Sequence, residues 1–225
     1  MSTTLSTSRP SGPIATPRGW RLWIVIVTLT AAVIISLLWG ARHKAQAGYY
    51  GLRLFPPKDA YNFTLTDQDG HPFELASLRG KVVLFAFGYT HCPSFCPTTL
   101  ADLAAVRRAL PPRDQGRLQI LFVSLDPQRD TPEALRRYVP YFDPSIIGLT
   151  GPKPDLDRTA QAYGASYEIS RKPNDDPNVY FVNHSTFTYL VNPAGQVELI
   201  YDYDKLKETD KLAADVQQVL NEPAQ

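Results

Sequence analysis

The sequence predicts an α/β protein, a three-layer sandwich with a mixed central sheet, together with one N-terminal transmembrane helix. Three observations support this class. Residues 22–40 are apolar and uncharged, and they are numerous enough for a helix to span a bilayer. Short apolar runs typical of buried strands then alternate with helical patterns, which favours a sheet covered by helices on both faces. A hairpin pattern and a final amphipathic helix follow.

The elements of the sandwich are predicted in order from about Tyr61. Alternating apolar and polar residues around Asp69-Gly70 predict a hairpin. Buried strands are predicted at 81–89 and 118–126, a short strand at 145–151, and two strands within 185–202 around a Pro-Ala-Gly turn. Helices are predicted from around Cys96 to Thr98 up to Leu110, from the Thr131 cap to about Phe142, from Pro154 toward Tyr163, and at 209–220.

The N-terminal region is predicted to hold the protein at a membrane. Trp20, Trp23 and Trp39 lie near the two ends of the uncharged stretch, where indole rings favour the headgroup zone. We expect a disordered tail at 1–21, a transmembrane anchor in contact with lipid at 22–40, a linker at 41–60 and a globular domain at 61–221. A cleavable signal peptide is the alternative, because Ala-Gln-Ala follows the stretch, but the stretch is longer than a signal peptide requires.

The charge of the chain excludes one class of partner. The formal net charge is +1, and the sequence has no stripe of basic residues interleaved with aromatic residues, so no binding to nucleic acid is expected. Basic residues lie on both sides of the predicted anchor, so the positive-inside rule does not decide its orientation. A short tail inside and a large domain outside is the simpler topology.

Both cysteines of the chain, Cys92 and Cys96, lie in "FGYTHCPSFCPTTL", directly after the first buried strand. Pro97 favours a helix start here, and the partial positive charge of a helix N-terminus stabilises thiolates. A structural disulfide, a redox couple and a metal site all stay open. A disulfide across so short a loop adds little stability. Thioredoxin-like oxidoreductases, whose order of strands and helices matches, have one residue fewer between their cysteines.

A soft metal held by two thiolates needs a third donor, and the chain has four histidines. His43 lies beside the predicted anchor and His71 follows a turn, so solvated roles are expected for both. His91 would strain the loop as a ligand, so a packing role or a supporting role beside the site is expected for it. His184 lies at the entry to a predicted strand that can approach the thiols; a metal ligand and a hydrogen-bonded structural residue both stay open. Two thiolates and an imidazole suit Cu(I) and Cu(II), whereas structural zinc would seek a fourth protein ligand.

Three segments resemble the Sco/SenC copper-binding proteins, a family of membrane-anchored, thioredoxin-like proteins that serve cytochrome c oxidase assembly. The segments are "FGYTHCPSFCP" at 87–97, "VSLDPQRDTP" at 123–132 and "NHSTFTYLVNPAG" at 183–195. The resemblance implies a thioredoxin-like copper-binding domain at 61–221, with Cys92, Cys96 and His184 as the copper ligands. It also implies that this domain is extracytoplasmic, on the periplasmic side of the inner membrane or in the equivalent intermembrane space.

Two details accompany the resemblance. The family frequently has an acidic residue before its histidine, whereas this chain has Asn183, which argues against a charged group at that point. Asp126 and Asp130 match an Asp-Pro-x-x-Asp segment of the family. We expect turn and N-cap chemistry around Pro127 and Thr131 from these aspartates, rather than catalysis.

The sequence therefore favours a membrane-anchored copper metallochaperone that delivers copper to the binuclear site of cytochrome c oxidase subunit II or to another acceptor. Because the thiols must be reduced to bind metal, a redox-active disulfide between Cys92 and Cys96 is expected to control loading. The alternative is a thiol-disulfide reductase that keeps the oxidase cysteines reduced, with His184 structural, so the question of an enzyme stays open. A peroxide-reducing enzyme is disfavoured, because its single reactive thiol needs no distant histidine.

Overall fold

The computed structural model describes residues 20–44, 48–171 and 179–222. The chain divides into two units at Gly48 and Tyr49. The first unit contains helix α1 (Trp20–Lys44), and the second contains every other described element. Most of the predicted disordered tail, residues 1–19, lies outside the described residues.

Helix α1 covers the predicted transmembrane anchor at 22–40. Across the described parts of the chain, no helix reaches the combination of length and apolar character that a membrane crossing requires. The anchor stays a prediction from the sequence.

The second unit alternates strands and helices in the predicted order. Its strands are β1 (Leu52–Asp59), β2 (Thr64–Asp67), β3 (Pro72–Glu74), β4 (Val82–Gly88), β5 (Leu118–Ser124), β6 (Ile147–Thr150), β7 (Tyr167–Ser170), β8 (Phe181–His184), β9 (Thr188–Val191) and β10 (Gln196–Tyr201). Its α-helices are α2 (Phe95–Ala109), α3 (Pro112–Gln115), α4 (Pro132–Tyr138), α5 (Lys153–Ala162), α6 (Tyr203–Leu206) and α7 (Thr209–Asn221). Short 3-10 helices lie at Leu75–Leu78 and Val139–Tyr141.

Eight strands form one mixed sheet in the order β1-β10-β9-β4-β5-β6-β2-β3. The central strands β4, β5 and β6 are parallel to one another, and the strands on either side pair antiparallel. Strands β4 and β5 are buried at every residue, as the two apolar runs predict for strands covered on both faces. Strands β7 and β8 form a separate antiparallel pair.

Helices cover both faces of the main sheet. On one face, α2 packs against α7 and over the central strands. Helix α4 lies on the same face, where Tyr138 packs against Phe122 of β5 with ring centroids 5.7 Å apart. On the opposite face, Tyr163 at the end of α5 packs against Phe85 of β4 and Tyr189 of β9, with centroids 4.8 and 5.4 Å away. The predicted three-layer α/β sandwich with a mixed sheet is confirmed.

The start of the sheet differs from the predicted linker at 41–60. Residues 52–59 form β1, which pairs with β10 at the edge of the sheet. Two consecutive prolines favoured the linker, but an edge strand tolerates proline because its outward-facing backbone needs no hydrogen-bond partner. The residues just before β1 are held as well, since Asp215 of α7 accepts the backbone N–H groups of Tyr50 and Gly51 at 2.9 and 2.8 Å.

The strand that carries His184 also differs from the prediction. His184 does not open a strand of the main sheet; it is the last residue of β8, and three residues separate it from β9. Strand β8 pairs with β7, with His184 opposite Tyr167. Four-residue strands in a two-stranded sheet leave only a weak alternation in the sequence, which is why this pair was not predicted.

Candidate metal centre

The two cysteines lie between the end of β4 and the first turn of α2. Strand β4 ends at Gly88, and α2 begins at Phe95, one residue before the earliest predicted start. Pro97 lies in the first turn, where its missing N–H removes no helical hydrogen bond. Cys92 therefore precedes the helix N-terminus and Cys96 lies within its first turn, where the helix dipole favours negative charge.

The structure brings the two sulfurs together with one imidazole. One ligand atom each from Cys92, Cys96 and His184 lies within 4.8 Å of the others. The Cys96 Sγ is 3.5 Å from the His184 Nε2, although the two residues are 88 positions apart in the chain. The cysteines are 7% and 3% exposed, and His184 is half-buried. Both cysteines are free thiols, so the redox-active disulfide between them stays a prediction.

The imidazole of His184 is oriented by a hydrogen bond to the backbone. Its Nδ1 lies 2.8 Å from the carbonyl oxygen of Ser185. Because a carbonyl can only accept, Nδ1 carries the proton and donates it, which leaves the lone pair of Nε2 directed to the thiols. The ring of Tyr89 packs edge-on against the imidazole with centroids 6.1 Å apart. Metal-binding histidines generally have such a hydrogen bond, in which one ring nitrogen donates to a carbonyl or carboxylate oxygen and the other binds the metal.

The two thiols differ in acidity. A hydrogen bond from the Cys96 thiol, assisted by the backbone N–H of Cys96 at 3.4 Å, lowers the pKa of Cys92 to about 3. The same contact, together with burial, raises the pKa of Cys96. The metal-free pair is therefore one thiolate and one thiol near neutral pH, and a metal that binds both sulfurs must displace the remaining proton.

The other three histidines lie outside this cluster or outside the described side chains. His91 is 56% exposed at its side chain, and its Nδ1 lies 3.0 Å from the hydroxyl of Thr90. His71 is 77% exposed beside Asp67. The side chain of His43 lies outside the described residues. The exposure of His71 agrees with the solvated role expected for it, whereas His91 is too exposed for a packing role.

Asp130 holds the loop that carries the thiols. Its carboxylate is fully buried and accepts the backbone N–H of Thr90 at 2.9 Å and the Thr90 hydroxyl at 2.6 Å. The hydroxyl of Ser124, at the end of β5, donates to the same carboxylate at 2.5 Å. Burial raises the pKa of Asp130. Because Thr90 lies two residues before Cys92, these bonds fix the entry to the thiol loop.

Asp126 holds the segment that leads to the histidine. Its buried carboxylate accepts the hydroxyl of Tyr180 at 2.6 Å, and Tyr180 directly precedes β8. Arg129 pairs with Asp126 and donates through Nη1 to the Tyr180 carbonyl oxygen at 3.1 Å. The guanidinium carbon also lies 3.6 Å from the centroid of the Tyr180 ring. One short turn therefore contacts both segments that supply the cluster.

Sequence reasoning assigned only turn and cap chemistry to these aspartates. Thr131 is indeed the N-cap of α4, because its hydroxyl accepts the backbone N–H of Ala134. The carboxylates of Asp126 and Asp130, however, bond to residues 54 and 40 positions away. Their place directly after a buried strand was an available signal, since the carboxyl ends of parallel strands meet at one edge of a sheet.

The space around the Cys96 sulfur is small and depends on Gly88. A cavity of about 10 Å³ is lined by residues that include Phe95, Cys96, His184 and Thr186. A space of this size holds about one water-sized particle, so it suits a single ion. A Cβ at Gly88 would lie 2.8 Å from the Cys96 Sγ and 2.6 Å from a ring carbon of Phe122.

Gly88→Ala is expected to lower the free energy of unfolding by about 1–3 kcal/mol, because the added methyl group overlaps the Phe122 ring. Because the same methyl group overlaps the Cys96 Sγ, the copper affinity is also expected to fall by about tenfold. Denaturant unfolding of the metal-free protein measures the first effect, and competition with a copper chelator measures the second.

Gly116→Ala is the matched control for this substitution. Gly116 has a φ of −73°, and no atom lies within 4 Å of an added Cβ. Its replacement is expected to leave copper binding unchanged and to stabilise the protein by no more than about 1 kcal/mol. Equal stability and copper affinity in the Gly88→Ala protein and the wild type would show that the close approach at Gly88 is not needed.

Comparisons with known proteins agree with this geometry. The family model described as SCO1/SenC matches residues 55–221. The mitochondrial protein SCO2 of Saccharomyces cerevisiae is 39% identical over 159 residues, which are 69% of this chain and 52% of the yeast protein. The chain therefore spans about half the length of that relative. A SCO2-like protein of Rickettsia conorii is 34% identical over 180 residues, 78% of this chain and 86% of the relative.

Solved structures show the same fold. Apo Sco1 from Thermus thermophilus is 41% identical, with a TM-score of 0.71 over 78% of this chain and 99% of that one. Bradyrhizobium japonicum ScoI, solved with copper bound, is 33% identical, with a TM-score of 0.65 over 72% of this chain and 99% of that one. The second unit has the thioredoxin-like α/β fold of these proteins, and the chain belongs to the SCO1/SenC family.

Proposed function

We propose that the protein is a copper metallochaperone in which Cys92 and Cys96 bind the ion as thiolates and His184 binds it through Nε2. The convergence of these three donor atoms within 4.8 Å carries the proposal. Thiolates select Cu(I), and an imidazole beside them also suits Cu(II), so both oxidation states are proposed as cargo. The solved relatives from Bradyrhizobium japonicum and yeast are described with copper bound, which supports this choice of metal.

The proposed acceptor is the binuclear copper site of cytochrome c oxidase subunit II. A relative that is 25% identical is described as a member of the Sco family of cytochrome c oxidase assembly proteins, which supports this acceptor. We propose further that residues 22–40 anchor the protein in lipid and that the second unit, from Tyr49 onward, is an extracytoplasmic copper-binding domain. Relatives described as mitochondrial are consistent with the intermembrane space or its bacterial equivalent, the periplasm.

The oxidation state of the two cysteines is proposed to control loading. Thiol-disulfide exchange with an oxidised partner converts the pair to a Cys92–Cys96 disulfide and reduces the partner's disulfide to two thiols. Both thiolate ligands are then lost, so only the reduced pair accepts copper. The lowered pKa of Cys92 also supports the second candidate function, a thiol-disulfide reductase. In that reaction the Cys92 thiolate attacks a target disulfide and Cys96 resolves the mixed disulfide. The target leaves as a dithiol, and the two cysteines are left as a disulfide.

Copper transfer to the purified soluble domain of cytochrome c oxidase subunit II tests the proposal. The reduced, copper-loaded protein is expected to transfer its ion to the reduced acceptor, measured as copper bound to the re-isolated acceptor. Cys96→Ser, treated identically, is expected to carry and transfer no copper, because two donors do not hold the ion against a chelator. A loaded wild-type protein that keeps its copper contradicts delivery. Reduction of the oxidised acceptor by the metal-free protein, without any such transfer, favours the reductase.

A further inference from the structure

Exposed aromatic side chains are concentrated beside the metal ligands. Among the described residues of the second unit, eight large hydrophobic side chains are exposed, and Phe95, Phe181 and Phe187 are three of them. Phe95 lies between the two cysteines, and each of the other two lies three positions from His184. Their exposed fractions are 50%, 50% and 43%. We call these three side chains the aromatic rim.

The rim lies close to the donor atoms in space. A chain of three residues spans at most about 11 Å, so the Cα atom of each rim residue lies within that distance of the Cα atom of a ligand residue. Phe181 is the outermost of the three, because residues three apart in a strand point to opposite faces. Phe95 also lines the small cavity with Cys96 and His184, and its ring packs edge-on against Tyr203, with centroids 4.9 Å apart. Large apolar side chains that stay exposed around a functional site are typical of a surface that contacts a partner.

The two segments that carry the ligands are also without formal charge. Residues 87–101, which carry the cysteines, contain no Asp, Glu, Lys or Arg, and the same is true of residues 179–197, which carry His184. Complementary charges therefore do not lie on these two segments. A partner that contacts these two segments therefore meets no formal charge on them.

The burial of the ligands requires that a copper acceptor contact this region. Cys92 and Cys96 are 7% and 3% exposed, so the donor atoms of an acceptor reach the ion only when its surface covers the residues around the ligands. We propose that the aromatic rim is the docking surface for a protein acceptor whose copper ligands lie within an uncharged, apolar surface. This inference rests on the proposed function, because it assumes that copper passes directly from protein to protein.

Rim variants test the inference in the copper transfer assay. Phe181→Ser and Phe187→Ser are each expected to lower the second-order rate constant for transfer to the soluble domain of subunit II by at least about tenfold, as removal of an interface anchor does. Phe55→Ser and Tyr141→Ser are the matched controls, since these aromatic side chains are 88% and 87% exposed but distant in sequence from the ligands. Copper stoichiometry, thermal unfolding and the transfer rate to the chelator bathocuproine disulfonate are expected to match the wild type in all four variants.

The salt dependence of the rate constant for copper transfer gives a second test of the aromatic rim. Apolar docking predicts that the rate constant changes by less than about threefold between 50 and 500 mM NaCl, whereas charge-steered association falls steeply over this range. A steep fall with salt would overturn the apolar docking surface.

Other outcomes separate this inference from the proposed function. If the wild type transfers copper and the rim variants transfer it equally fast, the docking surface is overturned but copper delivery is not. If the wild type transfers no copper, both copper delivery and the docking surface are overturned. Two further measurements identify other occupants of the surface. Reduced binding of the rim variants to phosphatidylcholine vesicles, with transfer unchanged, would assign the rim to lipid. Loss of a dimer in sedimentation, with transfer unchanged, would assign it to a second copy of the chain.

Discussion

His184→Ala is expected to weaken copper binding at least about a hundredfold, because loss of a direct ligand exceeds the effect of losing a residue that only supports one. The Nε2 atom, 3.5 Å from the Cys96 Sγ, is the nitrogen donor of the cluster. Without it the Cu(II) form is expected to lose its normal thiolate absorption band. Competition with a copper chelator measures the affinity, and the visible spectrum reports the coordination.

His91→Ala is the control for this prediction. His91 is adjacent to Cys92, but its side chain is 56% exposed and lies outside the cluster of donor atoms. Its removal is expected to change the copper affinity by less than about threefold, or roughly 0.6 kcal/mol. Disulfide formation between the cysteines is expected to survive in both variants. Tight, stoichiometric copper with a normal thiolate band in His184→Ala would refute the ligand assignment.

Asp130→Ala is expected to lower the free energy of unfolding by about 3 kcal/mol, because it removes a fully buried carboxylate that accepts three hydrogen bonds. The donors are the backbone N–H and hydroxyl of Thr90 and the hydroxyl of Ser124. Because Thr90 positions the thiol loop, the copper affinity of the folded variant is also expected to fall by about tenfold. Urea unfolding and chelator competition measure the two effects separately.

Two further substitutions serve as comparisons for Asp130→Ala. Asp130→Asn keeps the shape and one acceptor oxygen, so it is expected to lie between alanine and the wild type in both measurements. Asp204→Ala removes a carboxylate that is 86% exposed and paired only with Lys207, and is expected to cost less than about 1 kcal/mol. An Asp130→Ala protein as stable as Asp204→Ala would show that the buried hydrogen bonds do not hold the loop.

The parts of the fold that follow from local patterns were predictable. Strands β4 and β5 appear in the sequence as uninterrupted apolar runs, because each is buried at every residue. The start of α2 was predictable from Pro97, whose geometry suits a first helical turn. The position of both thiols at a helix N-terminus followed from these two signals alone.

The parts that depend on long-range contacts were not predictable from local patterns. Periodicity does not report that residues 88 positions apart, Cys96 and His184, meet; the resemblance to a known family supplied that pair before the structure did. Similarly, the position of Asp130 after a buried strand indicated the edge of the sheet at which it lies, but its hydrogen-bond partner 40 positions away needed coordinates. Strand β1 was missed because its prolines match a linker as well as a sheet edge.

The separation of β8 from the main sheet is expected to determine the order in which the three ligands release the ion. The cysteines are attached to β4 and α2, which are part of the packed core, whereas His184 ends a strand that pairs only with β7. Because β8 is not a strand of the eight-stranded sheet, a shift of β8 together with β7 moves the imidazole without breaking backbone bonds of that sheet. We therefore expect the nitrogen to dissociate first, which opens a coordination position for the incoming donor while both sulfurs still retain the ion.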